Sequence, residues 1–83
     1  MPSKNRAFLL LNTDVSSEQE VLENLKQIKE VKNAYLVYGV YDIIAELESD
    51  SLDDIKSRVL DHVRGIDKIR STVTMIVASE YTK

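Results

Sequence analysis

Short apolar runs alternate with charged segments along the chain, and this pattern predicts four strands. Residues 7–11 form a continuous apolar run that ends in turn-forming residues, as in a buried strand. Residues 33–38, 41–48 and 69–78 are rich in β-branched, aromatic and aliphatic side chains, and the middle segment alternates apolar with polar positions. Gly39 lies between two of these segments, which predicts a β-hairpin.

Two amphipathic helices are predicted between the strands. The first covers residues 18–29, and Ser17 with Glu20 matches a capping box at its start. The second begins at Ser51, which has the spacing of a cap, and ends at Gly65, the residue most favoured just past a helix. Apolar residues recur at helical spacing in both segments: Val21, Leu22, Leu25, Ile28, Leu52, Ile55, Val59 and Val63.

The order strand–helix–strand–strand–helix–strand predicts an α+β fold of the ferredoxin-like, βαββαβ kind. In this fold one four-stranded antiparallel sheet carries both helices on the same face, because each crossover is right-handed. The chain of 83 residues has room for one domain only, so residues 1–83 are expected to form a single unit.

The sheet face without helices is expected to be apolar as well. From the alternation of side chains along a strand, we expect six residues to face the helices: Leu9, Leu11, Ile43, Ala45, Val73 and Val77. The opposite, open face would then carry Phe8, Leu10, Ile44 and Ile76. Such a cluster favours cover by the sheet of a second copy, in a two-fold, face-to-face dimer. The alternative is that these side chains are scattered on twisted strands and need no partner.

Composition favours an oligomer and argues against several classes of function. A domain this small is marginally stable alone, and the absence of cysteine excludes disulfides and thiolate metal sites. His62 is the single histidine and cannot form a zinc site without several carboxylate ligands, so we expect neither metal nor cofactor. A net charge of −3 lacks the basic excess that nucleic acids require. The apolar runs are too short to cross a bilayer, and no secretion signal is visible, which favours a cytoplasmic protein.

The sequence contains few of the motifs that enzymes use for catalysis. Only Gly39 and Gly65 are present, so there is no glycine-rich phosphate loop, and there is no nucleophile elbow. His62 falls in the last turn of the second helix, beside its apolar stripe, where it would interact favourably with the helix dipole. We therefore expect a protein that is not an enzyme.

The strongest candidate site is the segment 38–42, Tyr-Gly-Val-Tyr-Asp. Glycine lets a ligand approach the backbone closely, and Asp42 can accept hydrogen bonds from a ligand ammonium group. Threonine hydroxyls on the last strand can bind a ligand carboxylate, so the combination suits a free amino acid. The same residues are also typical of an ordinary hairpin turn and strand. The candidate ligand-binding residues are Tyr38, Gly39, Tyr41, Asp42, Thr72 and Thr74.

Four segments in order resemble the effector domain of the leucine-responsive (Lrp/AsnC) transcription regulators, the RAM domain. They are residues 38–44, Tyr-Gly-Val-Tyr-Asp-Ile-Ile; residues 71–77, Ser-Thr-Val-Thr-Met-Ile-Val; and the stretches 7–13 and 31–35. No single motif is diagnostic, but the combination spans about residues 6–78.

The resemblance implies a βαββαβ fold, dimers formed through the sheets, and rings of dimers, often octamers. It implies amino-acid effectors bound between dimers by Gly39, Tyr41, Asp42, Thr72 and Thr74, with Tyr38 beside the motif. Full-length members carry a helix-turn-helix ahead of this domain, whereas this chain starts almost at its first strand. A stand-alone sensor that binds no DNA, and that modulates full-length regulators by mixed assembly, is the resulting expectation.

Three alternatives stay open at this point. Small dimeric ferredoxin-like enzymes of the monooxygenase or isomerase type have a similar order of elements, but would need His62 to point inward. The ACT domain also binds amino acids, but its ligand turn is usually glycine-rich and follows the first strand, where this chain has Asn12-Thr13-Asp14-Val15. A purely structural assembly domain without a ligand is the third.

Overall fold

The computed structural model describes residues 5–83; residues 1–4 of the expected single domain lie outside the described residues. The first half contains β1 (Asn5–Thr13), α1 (Glu18–Lys26) and β2 (Val31–Leu36). The second half contains β3 (Ile43–Ser49), a π-helical turn (Asp54–Val59) that continues into α2 (Leu60–Arg64), and β4 (Ile69–Ile76). The π-helical turn and α2 together are called the second helix below.

The four strands form one sheet in the order β2-β3-β1-β4, and all neighbouring strands are antiparallel. This arrangement confirms the predicted ferredoxin-like fold. Both helices contribute apolar side chains to one core on one side of the sheet. The core residues are Ala7, Leu9, Leu11, Val21, Leu25, Ile28, Ile43, Ala45, Leu47, Ile55, Val59 and Val63.

Strand alternation fixes which face of the central strands is buried. In β1, Ala7, Leu9 and Leu11 are completely buried, whereas the residues between them are half-buried. Cross-strand pairing keeps the pattern in step, because Leu9 lies opposite Ala45, and this pair points toward the helices. Burial of each large side chain in this core contributes roughly 1.5–3 kcal/mol.

The two helix starts differ from each other. The hydroxyl of Ser51 accepts a hydrogen bond from the Asp54 backbone N–H at 3.2 Å, as its spacing predicts. Ser17 makes no side-chain cap bond, so the predicted capping box is wrong. The reason is local: the Ser17 N–H, which Glu20 would have bound, already donates to the Asp14 carbonyl at 3.0 Å.

The predicted faces of the last strand are also wrong. Ile76 lies opposite Ala7, so it belongs to the helix face and not to the open face. Val73 lies opposite Leu10 and therefore belongs to the open face, and Val77 follows by alternation. Because β4 is apolar or β-branched at almost every position, its own sequence does not distinguish the two faces. The corrected open-face patch consists of Phe8, Leu10, Tyr35, Ile44, Val73 and Met75.

Candidate functional site

The loop between β2 and β3 is held in one shape by backbone hydrogen bonds. The Val37 N–H donates to the Asp42 carbonyl at 2.9 Å, which closes the loop. The Asp42 N–H donates to the Leu11 carbonyl at 2.9 Å, which ties the loop to β1. Gly39 has a φ of +150°, a conformation that other residues rarely adopt. The side chain of Tyr38 is fully exposed at the loop tip.

Side chains from β1 and β4 join this loop. One carboxylate oxygen of Asp42 accepts a hydrogen bond from the Thr13 backbone N–H at 2.9 Å. The Asn12 amide donates to the Val40 carbonyl at 2.9 Å and accepts from the Ser71 hydroxyl at 2.9 Å. The end of β1, the start of β4 and the 37–42 loop are therefore linked by polar contacts.

Asp42 lies between two surface cavities. The first has a volume of about 330 Å³ and is lined by Glu18, Gln19, Leu36, Val37, Tyr38 and Asp42. The second has a volume of about 380 Å³ and is lined by Asn12, Thr13, Asp42, Arg70 and Ser71. Both volumes fall at the lower end of the range found for small-molecule pockets, roughly 300–1,000 Å³. The second cavity combines a carboxylate with a guanidinium group.

The structure brings together only some of the predicted ligand-binding residues. Tyr38 and Asp42 line the same cavity, and Gly39 and Tyr41 lie in the loop between them. Thr72 and Thr74 are half-buried on the helix face of β4, opposite Leu11 and Leu9. Since β1 separates β4 from β3, the two threonines are about 10 Å from β3 at the usual strand spacing. In one protomer they line neither cavity.

Four residues of the second cavity were not predicted from the sequence: Asn12, Thr13, Arg70 and Ser71. The sequence pattern predicts only turn formers at Asn12 and Thr13, at the end of a strand. Their place beside Arg70 follows from the antiparallel pairing of β1 with β4, in which Asn12 lies opposite Ser71. Polar residues at the end of one strand and at the start of the strand paired with it are the signal that could have identified these four residues.

A charged cluster occupies the other end of the open face. The Arg6 guanidinium forms ion pairs with Glu46 and, at 2.5 Å, with Glu80. Asn33 donates to the second Glu46 oxygen at 3.0 Å. Hydrogen bonds from Arg6 and then from Asn33 lower the pKa of the Glu46 carboxyl below its ordinary value. The same bonds to Glu46 and Glu80 raise the pKa of Arg6.

His62 is exposed in α2, in agreement with its predicted place at the end of the second helix. Among residues 5–83, no group of three His, Cys, Asp or Glu side chains is arranged to hold a metal ion. Within the same residues, every helix is too short or too polar to cross a bilayer.

Comparison with known proteins identifies the fold and the family. Hypothetical protein PHS023 from Pyrococcus horikoshii is 40% identical, covers 93% of this chain and 93% of its own, and superimposes with a TM-score of 0.83. E. coli AsnC is 24% identical with a TM-score of 0.88, and the match covers 99% of this chain and 56% of AsnC. No match was found among curated proteins.

A third solved structure is a complex with L-Met, that of transcriptional regulator NMB0573 from Neisseria meningitidis. It is 15% identical with a TM-score of 0.81, and the match covers 95% of this chain and 53% of NMB0573. At this identity the likeness shows a shared fold. The family model described as the Lrp/AsnC ligand binding domain matches residues 6–83, which is nearly the whole chain. The chain therefore belongs to the Lrp/AsnC ligand-binding domain family.

Proposed function

We propose that this chain, residues 1–83, is one regulatory domain that binds a free amino acid and catalyses no reaction on it. The observation that carries the proposal is the cavity shared by Asp42 and Arg70. A free amino acid has one ammonium and one carboxylate group, and the cavity offers one side chain of the opposite charge for each. Charge-assisted hydrogen bonds of this kind are about twice as strong as neutral ones.

Asp42 is the ammonium acceptor in this proposal. Its Oδ2 is held by the Thr13 N–H at 2.9 Å, so the carboxylate is positioned before a ligand arrives. Such preorganisation reduces the entropy lost on binding. Tyr38, Gly39 and Tyr41 form the loop wall, and the exposed Tyr38 ring is free to cover a bound side chain.

Thr72 and Thr74 enter the site only through assembly. Within one protomer both point to the helix face of β4 and line neither cavity, so in this proposal a neighbouring protomer supplies them to the Asp42 loop. We propose homodimers formed through the open face and a higher oligomer, octameric as in the family, with the amino acid between dimers. Binding then shifts the assembly state, because a ligand stabilises the form that binds it better.

The partner of such a domain is a full-length Lrp/AsnC regulator in the cytoplasm, which it modulates through mixed assembly. Support comes from the family membership and from the L-Met complex of NMB0573. With a net charge of −3, the chain has no basic surplus for direct contact with DNA.

A thermal-shift screen with the twenty amino acids tests the proposal. At about 100 times its dissociation constant, a ligand adds roughly 2.7 kcal/mol to the free energy of unfolding. The screen should identify at least one amino acid that raises the melting temperature. If none does, the proposed function is wrong.

The variant Asp42→Asn then tests the site. Asparagine keeps an oxygen for the Thr13 N–H but loses the charge that binds the ammonium group. We expect its affinity for the amino acid to fall at least about tenfold, with little change in stability. Asp67→Asn, at an exposed position outside both cavities, is the matched control and should bind like the wild type. Equal affinity in the two variants would remove Asp42 from the site.

A further inference from the structure

We propose that the amino acid bound at Asp42 is a basic one, with a cationic group at the end of its side chain, and that Glu18 selects it. This inference rests on the proposed function and names the class of ligand for the same site. The first cavity, of about 330 Å³, and the second cavity, of about 380 Å³, share Asp42 as a lining residue. The second cavity binds the two charged groups that every amino acid has, so the first cavity is left for the side chain.

The covalent geometry of an amino acid directs its side chain toward the first cavity. The ammonium, the carboxylate and the side chain are attached to one tetrahedral carbon, so they point away from one another. With the ammonium group at Asp42 and the carboxylate at Arg70, the side chain points out of the second cavity. Asp42 also lines the first cavity, so a side chain that passes this carboxylate enters it.

The lining of the first cavity suits the aliphatic part of a long side chain. Leu36, Val37 and Tyr38 contribute apolar surface to it. Leu36 is 41% exposed and Tyr38 is fully exposed, so both have apolar area that a ligand can cover. Methylene groups of a lysine or arginine side chain gain free energy when they cover such a surface. The face of the Tyr38 ring also attracts a cation.

The group at the end of the side chain is selected by Glu18, at the start of α1. Glu18 is half-buried and lines the first cavity, whereas no lysine or arginine does. None of the ion pairs among residues 5–83 involves Glu18. An apolar side chain would displace water from this carboxylate without replacing its hydrogen bonds, which is unfavourable. An acidic side chain would be repelled by Glu18 and Asp42, so a cationic group fits best.

Backbone hydrogen bonds hold both sides of the first cavity. The Val37 N–H donates to the Asp42 carbonyl at 2.9 Å, which fixes the loop side. The Ser17 N–H donates to the Asp14 carbonyl at 3.0 Å, which fixes the turn that leads into α1. The spacing between the carboxylates of Glu18 and Asp42 is therefore restricted before a ligand binds. Such preorganisation favours a ligand whose two cationic groups match that spacing.

Isothermal titration calorimetry on the full chain, at constant ionic strength, tests this inference. The probes are L-lysine, L-arginine, L-glutamate and L-norleucine, which has the carbon chain of lysine but no side-chain ammonium group. We expect lysine or arginine to bind at least about tenfold more tightly than norleucine, and glutamate to bind most weakly. Whichever basic amino acid binds more tightly identifies the cationic group, and an advantage of either one over norleucine supports the inference.

Two variants in the same helical turn locate the selecting carboxylate. Glu18→Gln should reduce the affinity for the preferred basic amino acid at least about tenfold and abolish its advantage over norleucine. Glu20→Gln is the matched control, because it removes the same charge from the first turn of α1 but lines neither cavity. The advantage should persist in Glu20→Gln. The pair thus separates contact with the ligand from the general effect of a charge at a helix N-terminus.

Two results would overturn the inference and leave the proposed function intact. One is binding of norleucine, glutamate or any other amino acid as tightly as the basic ones. The other is equal affinity for the basic amino acid in Glu18→Gln and Glu20→Gln. Asp42→Asn is the reference for the site itself, because it should weaken the binding of lysine and norleucine alike. Only the absence of binding by all twenty amino acids would refute the proposed function together with this inference.

Discussion

At the scale of single residues, Gly39 is required because of its backbone conformation, and not because a side chain would lack space. A Cβ atom added at Gly39 would meet no atom within 4 Å, but the φ of +150° is strained for any other residue. We therefore expect Gly39→Ala to lower the free energy of unfolding by about 1–3 kcal/mol. Gly65 has an ordinary φ of −81°, so Gly65→Ala is the control and should change stability by less. Urea unfolding measures both, and equal losses would contradict the argument.

A second residue-scale prediction concerns acid stability. The pKa of Glu46 is lowered in the folded state, first by Arg6 and then by Asn33. The carboxylate therefore stabilises the fold above its unfolded-state pKa, and that contribution is lost as the pH falls through the folded-state pKa. Glu46→Gln lacks this contribution at every pH. The stability gap between wild type and Glu46→Gln should shrink from pH 7 to pH 3 in urea unfolding; a constant gap would exclude the effect.

At the scale of elements, the two helices differ in the hydrogen bonds at their N-termini, so replacing the serine at each start should change stability by different amounts. Ser51→Ala removes a cap bond and should cost about 0.5–2 kcal/mol of stability. Ser17→Ala removes a hydroxyl that makes no cap bond, so a smaller loss is expected. Thermal unfolding of the two variants, compared with the wild type, measures the difference. A larger loss in Ser17→Ala than in Ser51→Ala would contradict this difference between the two helix starts.

How well the sequence predicts each element depends on whether its pattern of apolar and polar residues identifies a single buried face. Helical spacing identified Val21, Leu25, Val59 and Val63, because charged residues between them leave one apolar stripe. The alternation of β3 likewise placed Ile43 and Ala45 in the core. β4 has no such contrast, so its faces are set by pairing with β1, which a single segment cannot reveal. For the same reason Arg70 was absent from the predicted site, although it lines the cavity beside Asp42.

At the scale of the whole molecule, the helices cover only one face of the sheet. Leu10 lies between Ile44 and Val73 in the register of three neighbouring strands, on the side without helices. The exposed Met75 and Tyr35 extend this patch toward both edges of the sheet. A contiguous, partly exposed apolar face of this kind favours an interaction surface. In one protomer Thr72 lines neither cavity beside Asp42, so the proposed site would take Thr72 from a neighbouring protomer.

A charge at the centre of the open face should therefore separate the protomers without unfolding them. Leu10→Glu places a carboxylate where a second sheet would bury it, and a buried unpaired charge is strongly unfavourable. Light scattering at micromolar concentration should give at least twice the 9.5 kDa chain mass for the wild type and the single-chain mass for Leu10→Glu. Val15→Glu is the control, because Val15 is 87% exposed in the turn after β1, and it should match the wild type.

The same variant connects assembly to ligand binding. If protomers must meet to complete the site, Leu10→Glu should lose the amino-acid response in the thermal-shift screen while circular dichroism still reports the folded secondary structure. A folded, single-chain Leu10→Glu that still responds fully to the amino acid would show that Asp42 and Arg70 of one protomer suffice. A wild-type protein that is itself a folded 9.5 kDa monomer would exclude the shared site altogether.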